Sequence, residues 1–197
     1  MNKIWIFLGG VAAFLVVAAL WFAGTYNYLV TKQEAVNGAW AQVQNVYQRR
    51  ADLVPNLVET VKGSANFEKS TLQAVVDARS RVGSMTVDTS VLKDPSKFRQ
   101  FEQAQGALTG ALSRLLVVLE RYPDLKANAN FRDLQVQLEG TENRIAVERR
   151  SFNEASTGYN AAIRRIPANL VASYGGFQPR PYFEAATDAQ KAPSVKF

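Results

Sequence analysis

Residues 36–61 read VNGAWAQVQNVYQRRADLVPNLVETV, and this stretch decides the fold. It contains a seam of positions separated by 4, 3, 4, 3, 4, 3 and 4 residues. Such a spacing places side chains along one side of a helix that packs against other helices, as in coiled coils. The seam positions are Val36, Trp40, Val43, Tyr47, Arg50, Val54, Leu57 and Val61. Arg50 is the charged member of an otherwise apolar and aromatic set.

Three further segments show a similar seam, and the sequence therefore predicts an all-α fold. The expected helices cover residues 67–82, 95–122 and 131–166, the last of them capped by Asn130. The third seam includes one polar residue, Gln105. Four amphipathic helices joined by short or medium connections favour an antiparallel up-down-up-down four-helix bundle.

An apolar run precedes the bundle. Residues 4–23 read IWIFLGGVAAFLVVAALWFA, 20 residues without a charge, and a helix of that length rises about 30 Å, enough to span a bilayer. The run predicts a single transmembrane helix. Aromatic rings that favour the headgroup region stand at its ends: Trp5, Trp21, Tyr26 and Tyr28. Gly9 and Ala13 form a small-xxx-small pair that could bring two spans together.

A cleaved signal peptide is the alternative interpretation of this run. It is disfavoured because the run is longer than the apolar part of a signal peptide, and Trp21 and Phe22 stand where cleavage needs small residues. Lys3 and the terminal amine precede the span, whereas Lys32 and Glu34 follow it. Since positive charge near the ends of a span stays in the cytoplasm, we expect a cytoplasmic N-terminus and a bundle outside it.

The chain is expected to divide into an anchor (1–25), a bundle (26–166) and a partly packed, partly disordered tail (167–197). Pro55 lies inside the first seam, which keeps its phase across the proline, so we expect a kink there. A break of the helix near Asp52 is the alternative.

Two segments between and after the helices have a mixed composition. Residues 84–93 are polar and are expected to form an exposed connection between the second and third helices. The irregular tail carries aromatic residues that suggest it packs back on the bundle in part: Tyr174, Phe177, Tyr182 and Phe183. About ten residues at its end are expected to be disordered.

Composition excludes several classes of site. The chain has no cysteine and no histidine, which removes thiolate nucleophiles, the commonest general base and the commonest metal ligand. Its basic pairs accompany no nucleic-acid-binding motif, so no nucleic-acid partner is expected. Glu139, Glu142 and Glu148 could supply carboxylates, but exposed carboxylates on helices commonly pair with basic neighbours such as Arg144. We therefore predict no enzyme, no catalytic or metal site and no cofactor.

A buried polar pair is expected inside the bundle. Arg50 lies about midway along the first seam, and Glu148 lies about midway along the fourth. The first and fourth helices are antiparallel in the predicted bundle, so these side chains could meet. A buried charge is tolerable when it is paired and hydrogen-bonded. The alternative is that each charge reaches water at the edge of the bundle.

Three motifs point to a known family. They read AWAQVQNVYQRRADLVPNLVETVKG at 39–63, YPDLKANANFRDLQVQLEGTENRIAVERRSFNEASTGYN at 122–160, and GFQPRPYFEA at 176–185. With these motifs the chain resembles the LemA family over essentially its whole length. The resemblance implies a bacterial inner-membrane protein with one span and an antiparallel helical bundle, and it supplies no catalytic residues. Some relatives are implicated in membrane organisation, such as magnetosome formation.

These observations favour a non-enzymatic membrane scaffold that binds lipid through its span, self-assembles into a homo-oligomer and organises the membrane or envelope. Apolar residues outside the seams are candidates for the contacts between copies: Phe67, Val46 and Val117. The alternative is a membrane-tethered module that recruits another envelope protein through residues 84–93 and the aromatic tail, because loops on rigid scaffolds often carry recognition.

Overall fold

The longest element of the structure, which is a computed structural model, is the helix α1 (Asn2–Lys62). It has 61 residues and is therefore about 90 Å long. Pro55 lies inside α1 and does not end it, so the predicted continuity of the first helix is confirmed and the alternative break near Asp52 is wrong. The limit expected between the anchor and the bundle, after residue 25, falls in the middle of this helix.

The structure describes residues 2–63, 68–85 and 87–184. Two expectations therefore lie outside the described residues. One is the role of Phe67 as a contact between copies, and the other is the disorder of the last ten or so residues.

The described residues form six α-helices and one 3-10 helix, and they include no strand. After α1 these are α2 (Lys69–Gly83), the 3-10 helix (Thr89–Lys93), α3 (Pro95–Leu119), α4 (Pro123–Ala127), α5 (Ala129–Arg164) and α6 (Ala168–Tyr174). The bundle consists of α2, α3, α5 and the second half of α1. The predicted fold, a long apolar N-terminal helix that continues into an antiparallel four-helix bundle, is confirmed.

The packing of α1 against α5 sets the antiparallel register. The ring centroids of Trp40 and Phe152 lie 5.5 Å apart, and ten residues further along α1 Arg50 contacts Glu142. Residue numbers therefore rise along α1 while they fall along α5. On another side, Arg79 of α2 donates from Nε to the carbonyl oxygen of Ala51 over 3.0 Å, which ties α2 to α1.

The core has two layers. The aliphatic layer fills the end of the bundle that contains the α1–α2 turn, and its members include Val54, Leu57, Val61, Val75, Leu108, Leu115 and Leu138. The aromatic layer lies towards the apolar half of α1 and contains Trp40, Tyr47, Phe98, Phe101, Phe152 and Phe183. Arg50 of α1 and Gln105 of α3 are buried between the two layers. The 3–4 seam thus produces the predicted core.

The connection between α2 and α3 differs from its expected form. We expected an exposed polar segment, but Val91 and Leu92 within the 3-10 helix are buried in the aromatic layer. Gln44 of α1 also donates its side-chain amide to the carbonyl oxygen of Val87. The connection is therefore part of the core, because two adjacent apolar residues in a tight helical turn can both reach it.

The C-terminal segment, residues 175–184, runs back along the bundle, as its aromatic residues predicted. Asn160 of α5 accepts a hydrogen bond from the Arg180 backbone amide over 2.8 Å and donates to the Arg180 carbonyl over 2.9 Å. Asn153 makes the same pair of hydrogen bonds with the backbone of Phe183, each 2.9 Å long. Two asparagine side chains thus bind the segment in place of a neighbouring strand.

Candidate functional site

The most prominent surface feature is the apolar half of α1. Among the described helices, α1 is long and apolar enough to cross a membrane, and no residue of its most apolar 18-residue window is buried. The large apolar side chains from Ile4 to Phe22 lie on the surface. Soluble proteins rarely expose a contiguous apolar patch of this extent, and the described residues do not cover this one.

The four aromatic residues predicted at the ends of the span are all exposed: Trp5, Trp21, Tyr26 and Tyr28. Trp5 has 71% of its surface accessible and makes no described ring contact. After the apolar run, the Nζ atom of Lys32 lies 5.6 Å from the ring centroid of Tyr28, so a cation accompanies the aromatic residues at this end of the run. These positions match those of rings in the headgroup region of a bilayer.

At the end of the apolar run, α1 contacts the C-terminal end of α6 and the residues that follow it. We call this contact the junction; it consists of Phe22, Tyr26, Tyr174, Gly175 and Phe177. The ring centroids of Phe22 and Tyr174 lie 5.9 Å apart, and those of Tyr26 and Phe177 lie 5.4 Å apart, both edge to face. A Cβ at Gly175 would lie 2.6 Å from the Phe177 ring, so any other residue there would displace this ring. The junction clamps the C-terminal segment to α1 where the apolar run ends, and sequence reasoning had assigned Tyr26 only to lipid.

Gly9 and Ala13 lie on the exposed surface of α1, one helical turn apart. A Cβ added at Gly9 would meet no atom within 4 Å. Small residues spaced in this way allow the backbones of two helices to approach closely. The surface is thus free to receive a second helix from another molecule.

The buried cation, Arg50, occupies the point where the two core layers meet. Its Nη1 donates to Thr109 Oγ1 over 2.7 Å and to Glu142 Oε1 over 2.8 Å. Its Nη2 donates to the Gln105 carbonyl over 3.2 Å and also to the Gln105 side-chain oxygen. The Tyr47 ring centroid lies 5.0 Å from the guanidinium carbon. These contacts join α1, α3 and α5 through one side chain that is 1% exposed.

The expected pairing of Arg50 with Glu148 is therefore corrected. The carboxylate that reaches Arg50 belongs to Glu142, six residues earlier on α5, about 9 Å along the helix axis. Glu148 is half-buried. The prediction aligned the midpoints of the two seams, and it found the right pair of helices but the wrong residue on α5. In the structure, the contact of Trp40 with Phe152 sets the register of α1 and α5, and this places Glu142 opposite Arg50. The sequence did carry a signal for another partner of Arg50, because Gln105 is a polar residue at a seam position of the third helix and accepts hydrogen bonds from Arg50.

The carboxylates considered as an alternative catalytic set do not converge. Glu139 accepts a hydrogen bond from Gln135 Nε2 over 3.1 Å, while Glu142 pairs with Arg50. Within residues 2–63, 68–85 and 87–184, no three side chains of types that bind metals come together.

A second charged group lies beside the C-terminal segment. Burial raises the pKa of Glu102, although Arg149 lies 3.7 Å away and opposes the shift. Arg149 also donates to the carbonyl oxygen of Glu184 over 2.9 Å and lies 4.6 Å from the centroid of the Phe183 ring. Burial likewise raises the pKa of Tyr47. Arg149 and Glu102 hold the segment in place, since the Glu184 backbone amide also donates to Glu102 over 3.4 Å, whereas Tyr47 contacts Phe101 and Arg50.

Comparison with known proteins gives the family. The model of the LemA family matches residues 39–197, which include the bundle and the C-terminal segment. The chain belongs to the LemA family. The resemblance carried by the three sequence motifs is thereby confirmed.

The curated relatives share this part of the chain. A magnetosome protein MamQ from Magnetospirillum gryphiswaldense is 28% identical over 174 residues, covering 80% of this chain and 64% of the relative. The magnetosome protein MamQ 2 of Paramagnetospirillum magneticum is 28% identical over 175 residues, covering 81% of this chain and 64% of the relative. Protein LemA of Metamycoplasma hominis is 28% identical over 152 residues, covering 77% and 65%. The chain thus spans less than two thirds of these relatives, and none of their names denotes an enzyme.

Proposed function

We propose that this LemA-family protein is a non-enzymatic, membrane-anchored scaffold that assembles with copies of itself and organises the membrane or envelope. The observation that carries the proposal is the continuity of α1. One uninterrupted helix is apolar and exposed over its first third and forms the spine of the bundle over its second half. Because no flexible linker separates the two parts, a change in the tilt of the span is passed directly to the bundle.

Three contacts make this connection stiff. The junction clamps the C-terminal segment to α1 at the end of the apolar run. The aromatic layer then packs on Trp40, and Arg50 joins α1 to α3 and α5 further along. A rigid rod with a bundle around one end can transmit orientation between the bilayer and the surface of an assembly, which is what a scaffold requires.

The span offers the first surface for self-assembly. Gly9 and Ala13 leave room for a second backbone. On the bundle, Val117 is exposed, whereas Val46 packs against the aromatic layer and is a weaker candidate. Most soluble homo-oligomers have closed symmetry, and we propose a symmetric assembly of parallel spans here as well.

The proposed location is the inner membrane of a bacterium, with the N-terminus in the cytoplasm and the bundle on the other side. Lys3 before the span and the scarcity of basic residues directly after it support this orientation. The names of the relatives support a role in organising membranes, because two of them are magnetosome proteins.

Recruitment of another envelope protein was the alternative function. Its two recognition surfaces were residues 84–93 and the aromatic tail. Val91, Leu92 and Phe183 are buried in the aromatic layer, so these segments offer less free surface than the alternative needs. A partner protein therefore remains secondary to self-assembly in our proposal.

The test is the particle mass of the full-length protein in mild detergent. We expect one discrete particle larger than a monomer, and we expect Gly9→Leu to dissociate it because the added side chain separates the two backbones. Gly10→Leu is the matched control, since it adds the same bulk on a neighbouring face and should leave the particle unchanged. A monomer for the unmodified protein would contradict self-assembly, and equal effects of both variants would contradict the contact at Gly9.

A further inference from the structure

The short helix α6 exposes apolar side chains although it packs on the core. Val171 and Ala172 on one side are buried in the aromatic layer's cluster together with Leu29 of α1. On the other side Leu170 is 67% exposed and Tyr174 is 86% exposed, four residues apart and hence on one face. Ile166, four residues before Leu170, is 86% exposed.

This exposed face lies at the depth where the span ends. The Tyr174 ring centroid is 5.9 Å from that of Phe22, and Phe22 belongs to the last turn of the apolar run. Leu170 lies one helical turn, about 6 Å, from Tyr174. If residues 4–23 cross the hydrocarbon core, α6 must lie against the headgroup layer, because its contact with Phe22 fixes its position along α1 at the end of the span.

The charge around α6 is of one sign. Neither residues 1–33 nor residues 155–183 contain an aspartate or glutamate. The exposed pair Arg164 and Arg165 directly precedes Ile166, and Lys32 lies on the adjoining part of α1.

Acidic groups on the other helices are remote from this end. Asp88 follows Val87, whose carbonyl accepts a hydrogen bond from Gln44 of α1, 21 residues or about 30 Å beyond the end of the apolar run. Asp94 begins α3 one turn before Phe98, whose ring centroid lies 5.9 Å from that of Trp40, and this places Asp94 about 20 Å beyond the end of the run. The nearest acidic residue on α1 itself is Glu34, which accepts a hydrogen bond from Asn37 over 3.1 Å.

We propose that α6 and the turn before it form a second membrane contact, in which Ile166, Leu170 and Tyr174 enter the interfacial layer and Arg164 and Arg165 bind anionic lipid headgroups. The proposal rests on the membrane attachment proposed above and adds the lipid class that the bundle recognises. Apolar side chains beside basic residues are the pattern of helices that lie in a membrane interface.

Other exposed apolar residues do not share these features. Val117, Val136 and Val147 stand singly on the described surfaces of α3 and α5, as scattered surface residues of soluble bundles do. They therefore serve as controls for α6.

The chain contains no cysteine, so one introduced cysteine can carry a single environment-sensitive label. We would label Leu170→Cys, Phe14→Cys and Val136→Cys in the full-length protein with a nitrobenzoxadiazole fluorophore. Each protein would be reconstituted into vesicles of phosphatidylcholine, alone or in an equimolar mixture with phosphatidylglycerol, and quenched by lipids with a nitroxide at the headgroup or deep in the acyl chain.

We expect the label at 14 to be quenched by the deep nitroxide, the label at 170 by the shallow nitroxide, and the label at 136 by neither. The label at 170 should also shift to shorter wavelength when phosphatidylglycerol is present. Arg164→Gln with Arg165→Gln should abolish that shift, whereas Arg49→Gln with Arg150→Gln, two exposed arginines remote from α6, should preserve it.

Three results would overturn the proposal in different ways. Quenching at 14 without quenching at 170 would leave the span intact and show that α6 stays in water. Equal signals at 170 in both lipid mixtures would remove the role of anionic headgroups. A label at 14 that no lipid nitroxide quenches would contradict the membrane attachment itself, and this inference with it.

Discussion

At the scale of the residue, Arg50 is a charge at a position where α1 otherwise buries apolar groups. Taking a guanidinium out of water costs several kcal/mol unless partners replace its hydration. Thr109 and Gln105 of α3 and Glu142 of α5 accept hydrogen bonds from Nη1 and Nη2, whereas the buried Nε has no hydrogen-bond partner among the described residues. The Glu142 side chain keeps 40% of its surface exposed, so the ion pair lies at the edge of the bundle.

The corrected pairing predicts unequal effects for two carboxylates of α5. We expect Glu142→Gln to lower the free energy of unfolding by about 1–1.5 kcal/mol, because the amide oxygen can still accept a hydrogen bond from Arg50 but the negative charge that pairs with the buried guanidinium is lost. Glu148→Gln, the matched control, should change it by less than about 0.5 kcal/mol. Urea unfolding of both variants in the same detergent measures the difference. A larger cost for Glu148→Gln would restore the original pairing and contradict the structure.

At the scale of the element, the caps decide where helices begin. The predicted start of α3 is confirmed, since the Asp94 carboxylate accepts from the backbone amides of Ser96 and Lys97 and Pro95 follows it. A hydrogen bond from the Ser96 hydroxyl, 2.7 Å long, and the one from its backbone amide lower the pKa of Asp94. For α5 the predicted cap at Asn130 is wrong, and Asn128 takes this role.

The physical reason is the short helix α4. Asn128 ends α4 with an extended backbone and at once begins α5, and its side chain accepts from the amides of Asn130 and Phe131 over 2.9 and 3.3 Å. Two asparagines two residues apart are equally good caps by type. Only the extended backbone at Asn128 distinguishes them.

This assignment predicts that Asn128→Ala lowers the free energy of unfolding by about 1 kcal/mol, because the two amides lose their acceptor. Asn130→Ala, a change of the same size on the same exposed turn, should have an effect within about 0.5 kcal/mol. Thermal unfolding followed by circular dichroism compares the two. Equal losses would mean that the start of α5 is not fixed by Asn128.

At the scale of the whole molecule, the C-terminal segment completes the core. Phe183 inserts among Trp40, Phe98 and Phe152, with ring centroids 6.2, 4.9 and 5.4 Å away. Without this ring, helices that meet only through their seams would leave a gap in the aromatic layer. The segment therefore acts as a further core element of the bundle.

Phe183→Ala should consequently lower the free energy of unfolding by about 3–5 kcal/mol, the cost of a cavity left by a buried phenylalanine. Phe177→Ala removes the same side chain from the same segment, but Phe177 is half-buried, so a smaller loss is expected. Urea unfolding and the near-ultraviolet circular dichroism of the aromatic layer report both effects. Unfolding of Phe183→Ala at the midpoint of the unmodified protein would show that the segment does not fill this core in solution.

The sequence by itself determined the helical class, the core positions and the exposed apolar run, because these follow from local periodicity and composition. It also placed one charged residue, Arg50, at a core-facing position of the first seam, and the structure decided between its burial and its exposure at the edge of the bundle. Only the tertiary structure decided that Glu142 and not Glu148 reaches Arg50, that Val91 and Leu92 enter the core, and that α6 meets the end of the span. These depend on how α1 and α5 slide against each other and where the chain returns, and distances between residues remote in sequence leave no periodic signal.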